Sequence, residues 1–468
     1  MGGTGKSQVI TAFCDYAETV SNFCGWEFTE HTIVITALTG SAATELENGR
    51  TFHSAVKISQ AIKDDDRIMW KNTKMIIIDE VSFLTTSVLI KGDRQMRLLK
   101  EIKTLFGNCH VVFSGDFHQL LPIGGKALFE EDTVQFGAIN KAIFLNISWR
   151  FKDDESFGEV MRRFRNGNIT KDDIALINSR YIDNPDVKLP PQDEMQYACA
   201  KNNERNAISD SIFLDHLKRT HPKSEDSTSL CPAHTVIIKA AMTYGSKKGK
   251  KVRMSTQNRI FDQCGDSDVL NESDGSKVDP ALKFYHGVPL MVVSNKRIKE
   301  KLANGTRCFG MYVVLKKHCS FKTECWEGYH VNTVMANEVA YIICKREKKN
   351  KSDKDSYFKM KPRSMQTTVK FRDVHKIELS GITMQQFPLN SNIATTCHKL
   401  QGKTLKRLII NSFDYSKKNW VYVVLSRITS LDGLVLLEKL DDTRDFSCNN
   451  QLLCWEKRIK NSIERKTF

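Results

Sequence analysis

The sequence reads as an α/β protein with two cores built on parallel sheets, the second interrupted by a small β-barrel-like insertion. Near both ends of the chain, apolar runs of strand length alternate with helical segments. In both places polar residues collect just past the strands, on one rim of each expected sheet. From about Asn206 to Pro388 that alternation gives way to short β-type runs separated by turn residues.

The 468 residues leave room for two to four domains with real hydrophobic cores. A composition of 40% apolar and 27% charged residues is that of a soluble globular protein, and no apolar run reaches the ~18 residues of a membrane span. Lys and Arg number 70 against 55 Asp and Glu, and the resulting +15 favours a polyanionic partner, nucleic acid before membrane. Thirteen cysteines, odd in number and without a C-x-x-C pair, suit reduced thiols in an intracellular protein. His318, Cys319, Cys325 and His330 cluster, but their spacing fits no common zinc module, and a hairpin with incidental thiols is the simpler account.

The first element is the turn in MGGTGKSQVI. The N–H groups of Gly3, Thr4 and Gly5 can cradle phosphate, Lys6 can reach the outer phosphates of a nucleoside triphosphate, and the Ser7 hydroxyl can ligate Mg²⁺. The full phosphate-loop pattern carries an earlier glycine and a feeding strand; neither is present, so a truncated product of a longer gene is expected. A helix over Gln8–Val20 follows, then a buried strand in HTIVITALTG and a short helix in SAATEL. TFHS, Thr51–Ser54, reads as a loop, and its His53 is either structural or placed where open α/β sheets bind ligands.

KMIIIDEVSF, Lys74–Phe83, predicts a buried strand with Asp79 and Glu80 at its tip. Adjacent carboxylates there are costly unless used: Asp79 to hold Mg²⁺ through its water shell, Glu80 to orient and deprotonate an attacking water. A further strand in HVVFSGDFHQLLPIGG places Gln119 where a carboxamide can sense a γ-phosphate. LNISWRF sets Arg150 after an apolar segment, ahead of the amphipathic run SFGEVMRRFRNG. Arginine suits a transferring phosphoryl group, although position alone leaves a surface salt-bridge arginine as the simpler account.

In the middle region, KRTHPKSEDSTS, SKKGKKVR and KREKKNKSDKDS are expected to be polar, mobile loops. GVPLMVVSN, RCFGMYVVLKK, VAYIICKR and HKIELSGITMQQFPL are the strands of the insertion. The second core resumes in NIATTCHKLQGKTLKRLIINSF, with His398, Gln401 and Gly402 at a strand-to-helix turn and Thr404 opening the helix. VYVVLSRITSLDGLVLL reads as another apolar strand followed by Ser426 and Arg427. The expected divisions are 1–140, 141–205, the insertion 206–384, 385–445 and a C-terminal helix or tail over 446–468.

Taken in order, these stretches resemble the motifs of a superfamily-one, group B DNA helicase of the Pif-one (petite integration frequency) family. GGTGKS is similar to motif I, TALTGSAA with TFHS to motif Ia and its extension, IIIDEVS to motif II, SGDFHQLLP to motif III, and LNISWRF with MRRFRNG to motif IV. HGVPLMVVSN with NGTR, CHKLQGKTL and VVLSRITSLDGL complete the series. The resemblance implies two RecA-like P-loop NTPase domains, with Lys6, Ser7, Asp79, Glu80, Gln119, Arg150 and Arg427 forming an ATPase site that uses ATP and Mg²⁺. It implies that Gln401 and Gly402 couple nucleotide to DNA, and that Thr39, His53, His398 and Lys399 lie along a single-strand channel.

The partners it implies are single-stranded DNA and duplex or quadruplex junctions, with no membrane, for a monomer moving 5′-to-3′ in repair, recombination and telomere maintenance. It places the protein in the nucleus ahead of the mitochondrion. Two departures stand out: TTCHKLQG in the late motif, and Trp149 before the motif IV arginine. Two other functions stay open to the sequence. One is an ATPase-dead remnant that holds single-stranded DNA; the other is the helicase portion of a rolling-circle (Helitron-type) transposon protein.

Overall fold

The structure, a computed structural model, describes residues 2–190, 196–220, 234–245, 249–263, 270–272, 278–295, 297, 300–348, 354–370 and 378–464. It divides into two compact units, one of Met1–Met195 with Cys397–Phe468 and the other of Gln196–Thr396.

In the first unit, helix α1 (Lys6–Phe23) leaves the glycine turn directly, with Gly5 as its cap at φ 83°. That left-handed backbone is costly for any other residue. Strand β1 (Ile33–Ala37), helix α2 (Gly40–Glu45), strand β2 (Arg50–Thr51), helix α3 (Phe52–Ala55), helix α4 (Asp64–Lys71), strand β3 (Met75–Asp79), helix α5 (Thr86–Lys100) and strand β4 (His110–Phe113) follow. After them come the short α6 (Val134–Gly137), α7 (Glu155–Arg165) and α8 (Lys171–Asn178). TFHS is not a loop: Thr51 ends β2 and caps α3, its hydroxyl accepting from the Ser54 N–H, so His53 stands on one helical turn.

The four strands pair in the order β2-β1-β3-β4, all parallel. Ala37 lies opposite Asp79, and Ile78 opposite Phe113, so the three longer strands end level. Thr39, Asp79 and Ser114 therefore reach one rim. Alternation along β3 fills two cores at once: Ile76 and Ile78 pack with Val34, Leu84 and Leu89, while Ile77 meets Ile10 and Ala37 on the other face. Each isoleucine contributes about 1.5–3 kcal/mol by leaving water.

Helix α7 buries Phe157, Val160, Met161 and Phe164, the i, i+3, i+4, i+7 stripe of its amphipathic sequence. Later in the same unit, the strands Leu408–Ile410 and Leu434–Leu436 pair in parallel. Two expectations fail here. Thr404 opens no helix, and the chain instead enters the Leu408–Ile410 strand. WVYVVL, Trp420–Leu425, is a helix rather than a strand, with all six residues buried. A run apolar on every side has no periodicity to tell the two apart. The C-terminal helix, Asn450–Glu464, lays Trp455 flat against Phe136, ring centroids 5.3 Å apart, and edge-on to Phe117.

The second unit is mainly β-structure. One sheet runs Tyr357–Met360, Val339–Arg346, Arg307–Leu315, Val288–Val292 and Leu389–Ser391, with antiparallel pairings throughout. Two four-stranded sheets are interleaved with it in sequence, and a parallel pair, Ala394–Thr396 with Tyr197–Cys199, carries the helix Asn202–Thr220. Cys325 and His330 face each other across the hairpin of Lys322–Trp326 and Tyr329–Met335. Among the described residues, no three His, Cys, Asp or Glu side chains are placed to hold a metal ion together. Residues 221–229, 246–248 and 349–353, which fall in the three expected polar loops, lie outside the described residues. Among those described, no helix is long and apolar enough to cross a membrane.

Candidate active site

The chain ends of β3 and β4, the glycine turn and three later segments of the first unit converge. Asp79 is buried at the tip of β3, where the Ser114 hydroxyl at the end of β4 donates to its Oδ1 at 2.7 Å. Glu80 follows in left-handed backbone, φ 55°. A non-glycine residue held there stores strain of about 1–3 kcal/mol, and such strain collects at functional positions. Burial raises the Glu80 carboxyl above its ordinary value and Asp79 raises it further, against the pull of Gln401, Lys6 and Arg427. A carboxylate tuned upward in this way is a better proton acceptor.

Gln401 reaches this pair from its own turn, its Nε2 donating to Glu80 Oε2 at 3.1 Å and to Ser82 Oγ at 3.2 Å. Gly402, at φ 81°, has space for a Cβ only 3.4 Å from Glu80 Oε1. Gln119 is also buried, and its main-chain carbonyl accepts from Asn419 Nδ2 at 3.0 Å. The Oε1 atoms of Gln119 and Gln401 are both buried without a hydrogen-bond partner. Buried polar atoms are rarely left so.

Two arginines close the site. Arg150 donates to the Ser426 carbonyl at 2.6 Å and to the Thr404 hydroxyl at 3.0 and 3.2 Å. Arg427 is fully buried and donates to the Val423 carbonyl and the Ser426 hydroxyl, both at 2.7 Å. Both guanidinium groups come up to the glycine turn. A Cβ added to Gly2 would stand 2.7 Å from Arg150 Nη1 and 3.3 Å from Arg427 Nη2, and one on Gly3 would meet Arg150 Cβ at 2.5 Å. The Trp149 N–H and the Ser148 hydroxyl tie this segment to the Gly3 and Gly2 carbonyls, each at 2.9 Å. Burial pushes Arg150 down to about 9, with Arg427 adding repulsion, and burial lowers Arg427 too. Guanidinium groups keep their proton in proteins. Among the described residues no carboxylate lies within ion-pair distance of either cation, although the Glu80 charge attracts both.

Lys6 and Ser7 occupy the first turn of α1, which begins without a side-chain cap and so keeps its leading N–H groups available to a phosphate. The residues named for DNA lie elsewhere in the unit. Thr39 caps α2, accepting from the Ala42 N–H. His53 is on α3 with its imidazole pushed down by burial and by Lys91. His398 and Lys399 form a single 3₁₀ turn, and the His398 ring stacks on Phe83 at 6.4 Å, pushed down by burial.

The sequence profile of the PIF1-like helicase family matches residues 1–173. The structure is similar to that of Pif1 helicase from Candida albicans, with a TM-score of 0.65 over 98% of this chain and 94% of that one at 18% identity. It is also similar to Pif1 helicase from Bacteroides in complex with ADP-AlF3 and ssDNA, at 0.64 over 99% and 92%, with 20% identity. The fold is the one seen in these Pif1 helicase structures. Its cores are those of the tandem RecA-like α/β arrangement. Among curated proteins, ATP-dependent DNA helicase RRM3 of Saccharomyces cerevisiae is 24% identical over 93% of this chain, and the chain spans 61% of that relative's length.

Within this candidate site, several partners escape sequence reasoning. The Thr404 hydroxyl serves Arg150 rather than opening a helix, and Ser426 supplies both its carbonyl and its hydroxyl to the arginine pair. Ser114, inside SGDF, orients Asp79. Only Ser426 neighbours its arginine in the sequence; Ser114 and Thr404 stand 35 and 254 positions from the residues they serve, so no local signal marks them.

Proposed function

We propose that this chain is an ATP-dependent DNA helicase that translocates 5′-to-3′ along single-stranded DNA and opens duplex or quadruplex junctions. The observation that carries the reading is the pair of buried arginines, with no carboxylate at ion-pair distance among the described residues, that come up to a glycine turn opening a helix. A triphosphate supplies the missing negative charge. The α1 N-terminus and Lys6 would hold its phosphates, and the buried Gln119 and Gln401 carboxamides give its γ-phosphate or the attacking water a bonding partner. Ser7 and Asp79 are oxygen donors of the kind Mg²⁺ takes, and the ion would neutralise charge between the outer phosphates. Glu80 takes the proton from the attacking water, while Arg150 and Arg427 stabilise the charge that develops on the transferred phosphoryl group.

Because Gln401 bonds Glu80 and is two residues from Lys399, the state of the nucleotide passes to the turn that carries His398. That turn, with Thr39 and His53, is the proposed path for the strand. The +15 charge suits a salt-sensitive, largely sequence-blind grip on phosphates. The β-rich second unit, read as a small barrel-like module, and service in nuclear genome maintenance complete the proposal. The similar Bacteroides structure is titled as a complex with ADP-AlF3 and ssDNA, which supports the same pair of ligands here.

The test is ATP hydrolysis with and without single-stranded DNA. DNA should stimulate turnover, and Lys6→Ala or Glu80→Gln should remove it while DNA binding persists. Salt-dependent DNA binding with no turnover in the unsubstituted chain would favour the ATPase-dead remnant instead.

A further inference from the structure

The loop that carries Gln119 is gripped from behind by groups that the proposed chemistry does not use. His118 is buried, and both of its ring nitrogens meet acceptors: Nδ1 faces the Arg165 carbonyl and Nε2 faces Glu456 Oε1, each at 3.0 Å. A neutral imidazole can donate only once, whereas a carbonyl and a carboxylate can only accept, so the two bonds together require the imidazolium. In agreement, the bonds to Cys448 and Glu456 and the charge of Asp116 outweigh burial and raise His118 to about 9. Cys448 donates to the same Arg165 carbonyl at 3.0 Å and lies 3.7 Å from Nδ1.

The chain of contacts continues to the carboxamide. Asp116 is buried, and its Oδ1 accepts from Arg165 Nη2 at 2.9 Å and from the His118 N–H at 3.2 Å. Its Oδ2 receives Gln119 Nε2 at 3.5 Å, and Glu456 lies 3.9 Å from Arg165. The groups that face His118 are therefore Asp116 from its own loop, Arg165 from α7, Cys448 from the segment before the C-terminal helix, and Glu456 from that helix. Tyr422 adds its hydroxyl beside Asp116 and Arg165.

We propose that Glu456 of the C-terminal helix is a positioning residue for Gln119, acting through the His118 imidazolium and the Arg165–Asp116 pair. Trp455, the preceding residue, clamps the same loop by its edge contact with Phe117 at 5.3 Å. Deprotonating His118 or removing the Glu456 charge frees the loop, and Gln119 then loses its fixed aim at the site. The inference rests on the helicase reading for its consequence in catalysis, but the positioning itself can be measured without turnover.

The experiment compares the full chain with Glu456→Gln by hydrogen exchange across residues 114–121, as protection factors between pH 6 and 10. In the unsubstituted chain, protection should hold until pH approaches 9; in Glu456→Gln its loss should come about two pH units lower, near the ordinary imidazole range. His118→Arg, whose guanidinium keeps its proton throughout this range, should make protection independent of pH. Hydrolysis by Glu456→Gln at pH 8 should fall about threefold to tenfold in kcat with KM for ATP unchanged, and Glu456→Asp should restore most of it. Equal protection in Glu456→Gln and the unsubstituted chain at every pH overturns the proposal, as does a loss of kcat that Glu456→Asp does not rescue. Expected protection changes in a chain that hydrolyses no ATP would leave the positioning standing and remove the helicase reading.

Discussion

Arg427 and Arg165 are both drawn into the first unit, and their surroundings are opposite. Arg165 meets the buried carboxylate of Asp116 at 2.9 Å, which holds Asp116 well below the usual carboxylate range and raises the arginine. Arg427, like Arg150 beside it, has carbonyl and hydroxyl partners, and burial lowers it. One cation is neutralised by the fold and braces it. The other, bonded only to carbonyl and hydroxyl oxygens, is the one proposed to meet a charge that comes from outside. Burying an unpaired cation costs several kcal/mol, and a protein keeps one only where a ligand offsets that cost.

The sharpest way to break this comparison is Arg427→Met, which keeps volume and removes the charge. Hydrolysis should fall on the order of 10³-fold or more, the usual effect of losing an arginine that meets a transferring phosphoryl group. Thermal stability without nucleotide should hold or rise, because the substitution removes an uncompensated charge. A melting temperature that collapses along with the activity would make Arg427 structural, and the contrast with Arg165 would disappear.

Arg165→Met should do the reverse. It takes the guanidinium away from a buried carboxylate, at a cost of about 3–5 kcal/mol in chemical denaturation. Asp116→Asn in the same background should recover much of that loss, since the two residues then fail together rather than singly. Independent, additive losses would show that the pair is not the brace described here.

These two arginines also show how far the sequence could be read. The glycine turn and β3 were legible, because a continuous apolar run ending in adjacent acids has few alternative uses. The family motifs were legible in order, and the fold agrees with them. Arg150 was legible only through its resemblance to the family motif: its partners Thr404 and Ser426 are 254 and 276 positions away, and nothing local separates it from a surface arginine. Nothing local joins His118 to Glu456 either, 338 positions apart. VYVVL reads as a strand in the sequence, yet it folds within the helix Trp420–Leu425, because burial on every side erases the helical period. Local chemistry is written in the chain, whereas charge balance is a property of what folding brings together.

The smallest effect, and the most direct comparison of site with brace, is in acid. On α7 and α8, Arg163 forms a two-pronged pair with Asp173 at 2.6 and 2.8 Å, and the side-chain bonds to Arg163 lower Asp173 to about 2. With its folded value depressed, Asp173 contributes stability that is complete above its unfolded value of 3.8 and is lost as pH falls through about 2. Asp116 acts in the same sense. Glu80 has the opposite sign: its folded value is raised, so it takes up a proton earlier on the way down, and that uptake relieves a penalty rather than removing support. Hydrolysis should therefore fail in mild acid while the fold persists, and circular dichroism should report unfolding only at distinctly lower pH. Asp173→Asn should move the unfolding midpoint upward and leave the activity limb in place. Coincident loss of activity and structure on acidification would mean that the raised carboxylate and the lowered ones belong to one titrating network, not to a site and its support.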